Sequence, residues 1–431
     1  MLFDGRLRLQ HLRCYQERKA DMLTRRQALT MFGTTLGAVT LALGAPALGV
    51  MAEAGGETTG KGEGEGNARR QDRAGYVYVN LNTAPMNTIA GFARRDDGSL
   101  TPLPGSPFAI GGVGTGKTIG SQGALQASSD GRYLLAADAM SNQISVLHIK
   151  PDGALRPADN SPVTSGGMQP VSIAIAGNLV YVGNTGTGGS NYTGFTLNPG
   201  GHLRPIANST VTLPDGSGLG DILLSPNDTH LIGTRVATSL IDSFTVGGNG
   251  RLTPAPGSPF PAQTGFYGPF GSAFRTTNPS QLYVTNAHNA QGGGGPGTVS
   301  AYTVATDGTL SPIGASPFPD LQIAPCWATV TPDGRTLFAA NTASDTISTY
   351  AIVSDGSLTL VGSTPLRKPA GATAVGPFDL HVDPSGQTLY VADEKLGAVS
   401  IFSISGNILS ELASSPVALP TGITPFGLVI V

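Results

Sequence analysis

From Tyr76 to the C-terminus one pattern returns about every fifty residues, and a period of that size restricts the fold to stacked or circular repeats. Its clearest copy reads APCWATVTPDGRTLFAANTASDTISTYAIVSDGSLTLVGSTP, starting at Ala324. Four alternating runs are separated there by Pro332-Asp333-Gly334, by Asn341 to Asp345, and by Asp355-Gly356. Each run has strand length and period-2 patterning, so one copy predicts a four-stranded antiparallel meander. The residue closing the second run marks the copies as Asn80, Asp138, Asn184, Arg235, Asn286, Asn341 and Asp393, which makes seven.

A linear stack of such units would need two caps. Here the first copy begins directly at its second strand, YVYVN, while the C-terminus supplies a spare first strand, TPFGLVIV. Pairing the two closes a ring and removes exposed sheet edges. The expectation is an all-β chain whose residues 76–431 form one seven-bladed β-propeller of four-stranded antiparallel blades, closed by the C-terminal strand. The 61 Gly and 32 Pro fit many short strands joined by turns.

Ahead of the repeats, Thr24-Arg25-Arg26-Gln27-Ala28-Leu29 precedes an apolar stretch from Met31 to Val50, followed by small-residue sites such as Ala45-Pro46-Ala47. This looks like a twin-arginine export signal over residues 1–52, with Ala28 and Thr30 departing from the usual pattern. Met22 would give the signal a conventional start. Residues 53–75, with GGETTGKGEGEGN inside, read as a flexible Gly/Glu linker. The predicted location is periplasmic or extracellular, with a membrane contact only through an uncleaved signal. Residues 1–52 hold 7 Lys and Arg against 3 Asp and Glu, leaving 18 against 25, a net −7, in the rest. Such a surface does not attract nucleic acid. Cys14 and Cys326 are too few for a disulfide framework.

Residues 111–118, GGVGTGKT, match the phosphate-loop pattern G-x-x-x-x-G-K-[ST]. The physics of that motif needs a helix opening at the Lys. The next residues, IGSQGALQASSDG, have no 3.6-residue apolar period and too many helix breakers. Gly111 belongs to the repeat and the rest reads as an insertion between blades, so no nucleotide is expected.

Tight Pro-Asp-Gly and Asp-Gly turns join the first to the second and the third to the fourth strands, and all emerge on one face. The opposite face carries the variable loops GGVGTGKTIGSQ, NTGTGGSNYTG and NAHNAQGGGGPGT, and function more often sits on such loops. Aligning the innermost strands places Gly427, Ala124, Ser172, Asp221, Gly271, Trp327 and Asp379 at one level of the channel. Nearby stand Arg235, Asp393 and Glu394, while His381 shares the strand face of Asp379. Asp379, Asp221, Arg235 and Glu394 are the candidate catalytic residues, with Trp327, His381 and Asp393 candidates for substrate contact: a carboxylate can activate water, Arg can hold an anion or stabilise an oxyanion, and Trp can stack. Each has a structural alternative. Asn80, Asn184, Asn286 and Asn341 read as caps of their own turns; Asp221 and Asp379 can bond backbone N–H groups of the next blade; Arg235 can lie at the surface; Trp327 beside Cys326 can pack between blades. His148, His202, His230 and His288 are scattered, and no pair has metal-ligand spacing, so neither metal nor cofactor is expected.

The strands LYVTN and LYVAD, the SDTISTY and DGSL segments and the terminal strand exchange resemble the seven-bladed lactonase family, which includes 6-phosphogluconolactonase-like proteins and carboxymuconate cyclases, with blades similar to surface-layer YVTN repeats. The resemblance covers about the whole of 76–431 and implies a metal-independent lactone hydrolase or cyclase. Family members thought to be catalytic show Pro-Arg-His, His-Pro-Asn-Gly and a strand ending Asn-Glu. The best counterpart here is Pro377-Phe378-Asp379, Asp383-Pro384-Ser385-Gly386 and Asp393-Glu394. Only Glu394 is kept, and loss of the Arg and both His removes the anion clamp and the proton carriers. Two functions therefore stay open. One is an exported enzyme acting on a small lactone or sugar-derived ligand at the channel mouth. The other is a non-catalytic propeller that binds a protein or glycan partner through its variable loops. A quinone-cofactor dehydrogenase is disfavoured by the single Trp.

Overall fold

The computed structural model describes residues 73–431 except 264, 290–292 and 421. The export signal, the Met22 start and the linker as far as residue 72 lie outside the described residues. Among those described, every regular element is a strand. They form seven antiparallel sheets, six of them running outward in chain order from the innermost strand and the first taking its innermost strand from the C-terminus. The repeat period therefore does become seven blades.

The ring closes as the tail requires. Gly427–Ile430 pairs antiparallel with Arg73–Asn80, matching Val77 to Ile430 and Val79 to Leu428. Tyr76 and Val431 exchange both backbone bonds at 2.7 and 2.9 Å, and Val77, Val79 and Leu428 are fully buried. The opening strand starts at Arg73 rather than at Tyr76, because Arg94 donates to the Ala74 carbonyl at 2.6 Å and its other nitrogen meets Asp383 of the last blade at 3.0 Å.

Neighbouring blades are fastened by the tyrosines of the repeat. Tyr78, Tyr283 and Tyr390 donate their hydroxyls to the glycine carbonyls of the next blade's third-to-fourth turn, Gly153, Gly356 and Gly98, at 2.7, 3.1 and 2.8 Å. Tyr181 does the same to Gly250. An aromatic body buried between two sheets thus ends on a carbonyl that would otherwise lack a partner.

A second fastening lies within five of the blades. The residue closing the second strand bonds a side chain near the start of the third: Asp138 with Ser145 at 2.7 Å, Asn184 with Asn191 at 2.8 Å, Asn286 with Ser300 at 2.8 Å, Asn341 with Ser348 at 2.8 Å and Asp393 with Ser400 at 2.7 Å. Capping of the local turn holds only for Asn80, whose Oδ1 accepts from Asn82 N at 3.0 Å. The reading of Asn184, Asn286 and Asn341 as turn caps is therefore corrected: hydroxyls or an amide across the ladder lie closer to their Nδ2 groups.

The outermost strand departs from a plain meander. In six blades it is broken into two short pieces, such as Leu100–Pro102 and Phe108–Ala109. At each break a serine hydroxyl accepts the third-strand N–H that the ladder leaves open, as Ser106 does from Gly91 at 2.9 Å and Ser316 from Ala301 at 2.8 Å. Blade six alone, among the described residues, keeps an unbroken outer strand, Leu358–Pro365.

Candidate functional site

The variable-loop end of the channel is occupied by the chain itself. After Ile110 the insertion leaves blade one, and Gly114 and Gly116 donate to Thr83 and Asn82 carbonyls at 2.9 and 2.8 Å. Thr118 then bonds the Glu394 carboxylate of blade seven. Ser121 donates its hydroxyl to Val171 of blade three at 2.6 Å and accepts the Trp327 indole N–H of blade six on its carbonyl at 2.9 Å. Gln122 reaches three blades: its N–H meets Gly220 O at 2.8 Å, Nε2 meets Ser272 O at 2.7 Å, and Oε1 accepts Ala328 N–H at 3.0 Å. From there the chain enters blade two at Leu125. Gly271 makes room, since a Cβ at that position would lie 2.3 Å from Gln122 Oε1. Residues 118–123 thus bridge the inner edges of the ring like a spoke. The stretch after Lys117 is irregular chain, not a helix N-terminus, so the phosphate-loop string lacks the geometry that would cradle phosphate.

Beneath this spoke lie the two channel carboxylates, on blades four and seven. Asp221 accepts from Ser272 N at 3.0 Å, Ser272 Oγ at 2.6 Å and Ser172 Oγ at 3.3 Å. Asp379 accepts from Leu428 N at 3.0 Å and from its neighbour Leu380 N at 3.1 Å. Ser172 plays the same part toward Ile222 N at 3.0 Å. At this level a side chain of one blade takes the N–H of the next, and the structural alternative raised for both aspartates describes their contacts. Burial pushes the Asp221 carboxyl up to about 7 against the pull of Ser272, and the charge of Asp379 adds to the shift.

The remaining candidates are tied down separately. Arg235 stands where other blades have Asn or Asp, and where they have Ser on the third strand blade four has Asp242. The guanidinium grips that carboxylate at 2.6 Å through Nε and 2.5 Å through Nη2. The Tyr192 hydroxyl of blade three donates to the same group at 2.7 Å. Arg and Asp together are therefore blade four's version of the fastening seen within five other blades, buried and bidentate. Asp393 is fully buried against Ser400, and burial holds its carboxyl well above the usual range. Trp327 is 1 % exposed between the rings of Phe270 and Phe378, with centroids at 4.9 and 4.3 Å. It packs between blades five and seven with its N–H on the spoke. His381 stays part-exposed, with Nε2 3.6 Å from Asp379 Oδ1. The structure brings Asp221, Asp379 and His381 to the channel wall, turns Arg235 toward Asp242 and Asp393 into its own blade, and seats Glu394 on Thr118.

Sequence reasoning missed Ser121 and Gln122, whose signal was a glycine-spaced insertion of unknown path. It also missed an apolar cleft of about 270 Å³ between the spoke and blades three to five, lined by Ile119, Val171, Thr185, Leu219, Val236 and Phe270. Exposed Met86, Met140 and Met168 stand on loops of the same face.

Residues 272–425 match the family model described as lactonase, 7-bladed beta-propeller. No curated protein matches significantly. Among solved structures, a provisionally assigned 6-phosphogluconolactonase of Bacteroides uniformis superposes with a TM-score of 0.67 at 20 % identity, covering 84 % of this chain and 100 % of its own. The corresponding Bacteroides fragilis protein gives 0.66 at 20 % identity, covering 83 % and 98 %. A periplasmic gluconolactonase of Pseudomonas aeruginosa gives 0.65 at 16 % identity, covering 83 % and 99 %. At these identities the structures speak for the fold alone, a seven-bladed β-propeller, and the family match makes residues 272–425 similar to lactonase-type propeller blades.

Proposed function

We propose that this propeller acts by binding, through its variable-loop face, and does not turn over a lactone at that channel mouth. The observation that carries the reading is the spoke: Ser121 and Gln122 fill the place where a substrate would have to lie, and their polar atoms take the inner-strand groups that would greet it. Arg235, the one candidate anion holder, is neutralised by Asp242. What this face offers instead is the apolar cleft, large enough for an aliphatic or aromatic side chain, and exposed Met86, Met140 and Met168 on other loops of the same face. Methionine surfaces adapt to varied apolar partners, so a protein partner fits this face better than a glycan. A location outside the cytoplasm belongs to the same reading, supported by the arginine pair Arg25-Arg26 and the apolar stretch behind it.

A second reading keeps lactone chemistry but moves it to the tight-turn mouth. It rests on His381, 30 % exposed with Nε2 3.6 Å from the Oδ1 of buried Asp379, a pair that becomes a carboxylate-backed general base only by drawing together to hydrogen-bond distance. Purified mature protein assayed on a panel of γ- and δ-lactones separates the two. The binding reading expects hydrolysis at the buffer rate and unchanged behaviour in His381→Ala. Turnover that His381→Ala abolishes would establish the second reading, and turnover lost instead in Gln122 variants would overturn the first.

A further inference from the structure

Six blades of this ring protect their rims in one way, and the seventh does not. In blades one to five and seven the outer strand runs for three or four residues, breaks, and resumes for a second short piece, two residues long in all but blade five. Serines 106, 161, 209, 258, 316 and 415 then close each gap by accepting the orphaned third-strand N–H at 2.8 to 3.0 Å. Short, interrupted edges are how sheet proteins avoid edge-to-edge pairing. Blade six has no such serine. Its outer strand Leu358–Pro365 runs eight residues and is the last strand of its sheet.

The open strand is also uncharged: LTLVGSTP contains neither acid nor base. A one-residue bulge sets Val361 out of the ladder, leaving it 51 % exposed. Beside it, Gln322 of blade five donates to Ser363 at 3.1 Å, so that Leu321 and Ile323, 67 % and 46 % exposed, adjoin the same stretch of rim. Three of the most exposed large apolar side chains among the described residues thus gather at the one uninterrupted edge.

We propose that this edge is a self-association site, where two copies pair their Leu358–Pro365 strands antiparallel about a two-fold axis. The occupant is a second copy because the edge is self-complementary. Antiparallel pairing of a neutral strand with itself opposes no like charges, and an isologous contact uses one patch twice. Main-chain bonds across the rim supply the affinity, as in other strand-addition interfaces, while Val361 and Leu321 leave water.

Sedimentation equilibrium on the purified mature protein over a wide dilution series tests this. The expected result is twice the monomer mass at high concentration, reverting to monomer on dilution. Val361→Lys brings two like charges together near the two-fold axis, and Thr359→Lys, tested separately, places a lysine inside the strand pairing on each side of that axis; each should leave monomer at every concentration. Thr253→Lys, on the interrupted edge of blade four, should leave the dimer intact. Circular dichroism identifies any variant that fails to fold, in which case the other lysine variant decides. Wild type that is monomeric throughout, or lysine variants that still dimerise, would overturn the proposal.

Discussion

Replacing Gln122 by Ala removes the centre of the spoke while leaving its backbone in place. Two side-chain hydrogen bonds are lost, and the Ala328 N–H and Ser272 carbonyl that they satisfied are stranded at the inner edges of blades six and five. A side-chain hydrogen bond is worth about 1 kcal/mol net, and a buried group left unpaired costs about 1–3 kcal/mol. Gln122 is itself partly exposed, so water relieves some of this, and the sum comes to about 2–3 kcal/mol. At this chain length a loss of 1 kcal/mol lowers Tm by about 1.3 °C, giving an expected fall of about 3–4 °C. Guanidinium unfolding should show a lower midpoint at an unchanged slope. Gln122→Glu should fare no better, because it sets a carboxylate oxygen against the Ser272 carbonyl near Asp221. A Gln122→Ala protein melting within about 1 °C of wild type would show that the side chain does not bridge the blades.

Two further perturbations concern buried charge. Asp221 titrates near 7 folded, against about 4 unfolded, so the folded state binds the extra proton between those values and stability falls as pH rises through the window, by up to about 4 kcal/mol. Asp221→Asn imitates the protonated form: it should flatten the dependence of Tm on pH between about 4 and 7 and melt above wild type at pH 8, whereas parallel curves would count against a buried acid there. Arg235→Ala leaves Asp242 buried without its cation and should cost about 3 kcal/mol. The double change Arg235→Asn with Asp242→Ser installs the pair that blade six uses in Asn341 and Ser348, and should recover most of the midpoint in denaturant. A double variant no better than the single would mean that Arg235 does something besides hold Asp242.

The sequence made the ring legible because a repeat states its solution seven times. Turn chemistry at Asp-Gly and Pro-Asp-Gly sets the strand ends, alternation sets which residues are buried, and the unpaired YVYVN and TPFGLVIV specify each other. Residues outside the repeat were harder. Periodicity says nothing about the path of Gly111 to Gly123, because apart from the Trp327 indole the partners of Ser121 and Gln122 are backbone groups on four other blades and carry no side-chain signature. Arg235 was noticed as an exception, yet its meaning lay seven residues on, where Asp242 replaces the usual Ser. Both departures are readable as one compensating pair once the cross-strand fastening is known. Trp327 drew attention as the only Trp, and its surroundings, Phe270 and Phe378 from the two flanking blades, depend on ring closure that no local pattern encodes.

The occupied channel mouth is tested most directly by hydrogen exchange at the Gln122 amide, bonded to Gly220 O at 2.8 Å. A spoke fixed across the ring predicts protection comparable to the inner-strand amides of Ile222 and Ser272. Exchange as fast as that of Gly188, on an exposed loop, would contradict it and return the mouth to a substrate.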